Sequence, residues 1–169
     1  GGHATPRPRT IEAGDLVHME FAGVSNRYHA VAVHTMACAE PSPRCRAVYD
    51  ATRASLAAGI AECTAGALVS DIEEASLEPL VLAGLAEHAN MRFGYGIGIA
   101  YPPIWLESLQ ISRGFDDRLQ PGMVFVLHAY VQLDEEGIGI IQGGTWAMLD
   151  GGLTQLVGGG DVPLEVKQL

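Results

Sequence analysis

The stretch Met91-Arg92-Phe93-Gly94-Tyr95-Gly96-Ile97-Gly98-Ile99-Ala100 sets a glycine at three alternate positions, with Tyr95, Ile97 and Ile99 on the other parity. As a helix it would be poor, because each interior glycine costs about 1 kcal/mol relative to alanine. A strand accommodates the pattern, the bare face letting another backbone come close. Upstream, Ile72, Ala75, Leu80, Leu82 and Leu85 predict a helix running to about His88, with Ser70 as N-cap, Glu73 closing a capping box and Pro79 kinking or interrupting it. Before that, Val48, Ala51, Leu56, Ile60 and Cys63 recur at spacings of three to five and predict a helix over 43–63, with Ser42 as N-cap and Pro43 at its first position. Further back, Leu16, Val17, Met19 and Phe21, the turn Gly23-Val24-Ser25-Asn26 and the apolar run 28–39 read as a β-hairpin. Downstream come Tyr101-Pro102-Pro103, a loop through Asp117, a turn at Gln120-Pro121-Gly122, a strand over 123–133, a charged turn over 134–137, a strand over 138–149 and a short strand near 154–157. The order is two strands, two helices, then strands with antiparallel connections, which is an α+β class.

A chain of 169 residues supports one substantial core, and 48% hydrophobic against 18% charged residues is too apolar for disorder. The net charge of −10 is uneven, +1 over residues 1–53 and −11 over 54–169. That argues against nucleic acid as a partner, because phosphate binding needs clustered cations. No uncharged apolar run reaches a membrane-spanning length, so no membrane partner is expected. Three cysteines, Cys38, Cys45 and Cys63, without CxxC spacing argue against a disulfide framework or structural zinc, and a cytoplasmic setting is the default. The Gly1-Gly2-His3 start, without an initiator methionine, suggests a processed or cut terminus.

Several segments together are similar to one family: Gly14-Asp15-Leu16-Val17 opening a hairpin, Ala65-Gly66 before a helix with Asp71-Ile72, the glycine-rich strand 93–98, and Leu119-Gln120-Pro121-Gly122-Met123-Val124-Phe125. They resemble the pita-bread fold of creatinase, aminopeptidase P and methionine aminopeptidase. That resemblance implies a curved antiparallel sheet with helices on its outer face. Asn26-Arg27-Tyr28-His29 and the run from Gly94 to Trp105 look most like the metal-free, creatinase-like branch that includes ectoine hydrolases. The fold has two pseudo-symmetric halves, and only thirteen residues precede Gly14. The first helix pair is therefore expected to be missing. Residues 1–13 read as an extended lead-in, and 14–169 as a C-terminal, catalytic-type domain incomplete at its N-terminal side. A fragment, a processed protein with a companion chain supplying the missing half, or a homodimer covering the gap each fits.

Metallopeptidase members of the family hold two cations with Asp, Asp, His, Glu and Glu, hard anions that bridge the metals and acidify a bound water. Carried across, these positions fall on Glu20, Val31, Tyr95, His128 and on or beside Gly143, next to Gln142. One carboxylate survives, so no metal and no other cofactor is expected. Creatinase's proton-transfer His matches His3. The resemblance thus makes His3, Glu20, Tyr95 and His128 catalytic candidates, and Tyr28, His29, Trp105 and Gln142 candidates for contacting a small-molecule substrate. Each has a plainer reading. Glu20 shares a strand face with His18 and could pair at a sheet edge; His128 could be a satisfied core histidine; His3 lies near the chain end; Tyr95 and Trp105 could pack. Tyr28 and His29 could face a dimer partner. The resemblance implies a bacterial, metal-independent hydrolase, similar to Xaa-Pro dipeptidases in fold, cleaving a C–N bond of a small zwitterion. The alternative is an inactive relative serving as a binding or interaction module.

Overall fold

Asn26 and Arg27 both take positive φ, 46° and 69°. This two-residue turn has the sense of twist that strands prefer. It folds β1 (Leu16–Ser25) onto β2 (Tyr28–Ala37), so the hairpin turn lies two residues later than expected and β1 is correspondingly longer. The computed structural model describes residues 8–101 and 103–168. His3, and with it most of the lead-in, lies outside the described residues.

Helix α1 (Pro43–Glu62) starts where its sequence signals place it, with Ser42 Oγ accepting from the Cys45 N–H at 3.1 Å. Helix α2 (Val69–Leu82) corrects the capping expectation. Leu68, not Ser70, precedes its first turn, and no side chain caps it. The backbone does so instead: Val69 N–H donates to Asp117 O at 3.0 Å, beside a β-bridge between Leu68 and Arg118. Glu73 is freed from any capping box; it is buried, and its carboxylate accepts from Ser112 Oγ and from the Arg113 N–H and side chain. The helix passes through Pro79 and stops at Leu82, short of His88, where Gly84 turns at φ +67° into a separate 3-10 turn over Ala86–His88.

Strand β3 (Gly94–Ile97) bears out the strand reading at the centre of the glycine-rich stretch, while the flanking residues of 91–100 lie outside it. A Cβ at Gly94 would stand 2.4 Å from Val126 O, the close approach its composition implied. Its other neighbour, β4 (Leu106–Ile111), lies where a loop was expected: it is an edge strand whose mixed residues lack clean alternation. Gln120-Pro121-Gly122 turns as expected, with Met123 N–H bonded to Gln120 O and Gly122 at φ +92°. Then follow β5 (Val124–Leu133), β6 (Ile138–Leu149), β7 (Gly152–Gly158) and a two-residue β8 (Glu165–Val166) that runs parallel to β2. The sheet order is β1-β2-β6-β5-β3-β4, with β7 also on β6.

One face of β5 and β6 packs under the helices. Phe125, Leu127, Ala129, Trp146 and Met148 meet Leu56, Cys63, Val69 and Ile72 in the largest core cluster. The three cysteines are buried free thiols. Among the described residues no helix is long and apolar enough to cross a membrane. Strands β2 and β6 meet through the pair Val33–Gly143 alone in the ladder. Two hydroxyls complete the seam on either side: Thr35 Oγ1 donates to Ile141 O and accepts from its N–H, and Thr145 Oγ1 does the same with Val31, all at 2.8–2.9 Å.

Candidate functional site

The face of the sheet opposite the helices holds a cavity of about 610 Å³. Because side chains alternate, residues two apart on β1 share this face. His18 and Glu20 line one wall as expected of their parity. Tyr95 on β3, His128 on β5 and Trp105 with Leu106 before and on β4 line the rest, over an apolar floor that includes Val33 and Ile141. Thus Glu20, Tyr95, His128 and Trp105, four of the eight candidates, come together.

The Tyr95 and His128 rings lie 5.8 Å apart, tilted by 59°. Trp105 Nε1–H donates to Tyr95 Oη at 3.2 Å. Burial raises the Tyr95 hydroxyl above the usual phenol range, so it stays protonated at neutral pH. Burial, and then the nearby Arg92 cation, push His128 down to about 4. Its imidazole is therefore neutral, and its buried Nδ1 has no hydrogen-bond partner among the described residues. An unpaired buried polar atom of this kind carries a desolvation cost that a ligand group can relieve. His18 Nε2–H donates to Gly139 O at 2.7 Å, which fixes that ring at the cavity's edge.

Three candidates stand elsewhere. Gln142 is opposite Ala129, one residue off the His128–Gly143 pair, and so points to the helix side, where its Nε2–H donates to Tyr49 O at 3.2 Å. It does not line the cavity and cannot orient a ligand there. Tyr28 and His29 stand at the hairpin end. Tyr28 Oη donates to Ile97 O, His29 Nδ1–H and its backbone N–H both donate to Gly98 O, and the His29 ring lies against Tyr101. They clamp the hairpin to the segment after β3 and do not line the cavity. Arg92 is the residue the sequence reading missed. It lines the cavity beside Met91. A signal was present: between residues 54 and 112 it is the sole Lys or Arg.

The residues do not fit a two-metal centre. Among the described residues no three His, Cys, Asp or Glu side chains come together as a metal site. At the five corresponding positions Val31 is wholly buried and apolar, and Tyr95 offers a protonated phenol. Gly143 has no room for a ligand: a Cβ there would stand 2.2 Å from Leu127 O and 2.6 Å from His128 Cβ.

The profile of metallopeptidase family M24 matches residues 2–147. This chain belongs to that family. An ectoine hydrolase from Halomonas elongata is 28% identical over 141 residues, covering 83% of this chain and 35% of that protein. An Xaa-Pro dipeptidase from Lactobacillus delbrueckii is 27% identical over 123 residues, covering 73% and 32%. A dipeptidase structure from Pyrococcus horikoshii superposes with a TM-score of 0.90 over 98% of this chain and 45% of its own, at 19% identity. The α+β, antiparallel pita-bread fold expected from the sequence is therefore the fold observed. The chain spans about a third of the length of these curated relatives.

Proposed function

We propose that the cavity is the substrate site of a metal-independent hydrolase of the M24 family, cleaving a C–N bond in a small zwitterion. The observation that carries this reading is the composition of the cavity wall: among the described lining residues there is one carboxylate, Glu20, and one guanidinium, Arg92, with a protonated phenol, Tyr95, and a neutral imidazole, His128, around an apolar floor. Opposite single charges complement a zwitterion, and neutral donors complement a developing oxyanion. In this chemistry a water adds to the amide or amidine carbon, its proton passes to Glu20 and then to the leaving nitrogen. Tyr95 Oη–H donates to the oxygen or nitrogen that gains charge. The chain works as the C-terminal, catalytic-type half, in a cytoplasmic setting, its open hairpin side covered by a second copy or a companion chain.

A second reading, binding without turnover, is favoured by the state of His128: with its pKa near 4 it is a weak base, and Glu20 is the one carboxylate among the described lining residues. One experiment separates the two. The protein, dialysed against chelator, is assayed for hydrolysis of ectoine, creatine and glycyl-proline while its thermal midpoint is followed with each. Hydrolysis untouched by chelator and lowered roughly 100-fold or more by Glu20→Gln is the expected result. A midpoint raised without hydrolysis establishes the binding module, and activity that returns only with added metal overturns metal independence.

A further inference from the structure

The chain has twenty acidic and ten basic residues, so a cation normally finds a carboxylate. Arg9, Arg44, Arg46, Arg53, Arg113 and Lys167 all do. Arg27, Arg92 and Arg118 do not among the described residues; of these three Arg92 is the one on the cavity wall, and its guanidinium donates to the Oε1 of Gln110 on β4. A neutral carboxamide holds the planar fork in place without cancelling its charge. Most of its donors are left for a ligand, and a guanidinium so held matches a carboxylate in two-point geometry.

The neighbouring hydroxyl is polarised the same way. Trp105 Nε1–H already donates to Tyr95 Oη, and the phenol's own proton has no acceptor among the described residues. Toward a ligand, Tyr95 is therefore a donor, like Arg92. The acceptor, Glu20, belongs to β1, four strand positions away from β3 across the sheet. The cavity thus has a donor-rich flank and an acceptor flank.

We propose that Arg92 is the specificity-determining residue of this cavity: it takes the ligand's carboxylate, with Gln110 orienting it, and so turns the cationic end toward Glu20. The substrate class is then a small molecule bearing a carboxylate on one side of its C–N bond and a cationic nitrogen on the other. This assignment rests on the reading of the cavity as a zwitterion site.

The test uses matched probes, glycyl-proline against glycyl-prolinamide and 4-aminobutyrate against 4-aminobutyramide, titrated into the full chain. The Trp105 indole N–H, on the cavity wall, is the NMR reporter, and the buried Trp146 indole is the internal control. The wild type should bind each carboxylate at least tenfold more tightly than its amide. Arg92→Gln should bring the two within twofold, and Arg92→Lys should restore part of the preference. Because Arg92 is exposed, the unchanged Trp146 signal checks that the variants fold. A preference that persists in Arg92→Gln overturns the role of Arg92 and leaves the zwitterion reading standing. Failure of every probe to move the Trp105 signal in the wild type overturns both.

Discussion

The β5–β6 half of the sheet and the β1–β2 hairpin are both alternating antiparallel ladders, yet they bury their residues differently. Phe125, Leu127 and Met148 are completely buried, with helices over one face and the cavity over the other. Phe21 and Val24, on β1, are 65% and 51% exposed. The difference teaches that alternation specifies a strand, whereas burial depends on what covers each face. The cavity lies across both halves. Its His128 wall belongs to a packed core; its Glu20 wall hangs from the seam made by the Val33–Gly143 pair and the hydroxyls of Thr35 and Thr145.

The largest effect should come from opening the packed half. Phe125 fills the space between β5 and the helices, so Phe125→Ala removes a ring from a site that cannot collapse around the void. A loss of about 4 kcal/mol is expected in denaturant unfolding. A loss below about 1 kcal/mol would mean that the helices do not pack on β5 as described.

Next is the pH response of the His128 wall. Its imidazole titrates near 4 in the folded chain, against an ordinary value near 6.5 once unfolded. The folded state thus binds fewer protons, and stability must rise with pH across that window. The contribution is fully present above pH 6.5 and is lost as pH falls toward 4, by up to about 3 kcal/mol in all. His128→Phe should flatten the stability curve between pH 6.5 and 4 and leave its shape above pH 6.5 unchanged. An equally steep curve in the variant would assign the acid sensitivity to another group.

What was legible in the sequence follows the same division between local and distant causes. Ser42 caps α1 through a bond spanning three residues, and Pro121-Gly122 and the 134–137 turn are equally local, so their residue types suffice. Ser70 and Glu73 carry the same local signature but fail, because Glu73 is claimed by Ser112 and Arg113 about forty residues away. The edge strand β4 is held by its neighbour β3 rather than by its own pattern. Parity and the resemblance single out Glu20, Tyr95, Trp105 and His128, and the fold brings these four to one cavity. Gln142 faces away from that cavity, and the 134–137 turn sets the register that decides it: with Leu133 opposite Ile138, Gly143 falls opposite His128.

The smallest effect tests the exposed half. Phe21 lies beyond the helices, opposite Ala32 on β2, and borders a shallow apolar recess with Met19 and His34. Two-thirds of its surface already meets water, so Phe21→Ala forfeits little burial and only part of a cross-strand contact. The isolated chain should lose no more than about 1 kcal/mol. If it loses as much as Phe125→Ala, the hairpin is covered in solution, and the contrast between the two halves belongs to the isolated chain alone. Sedimentation of the wild type then has to show a second copy or companion on that face, because a buried ring needs something to bury it.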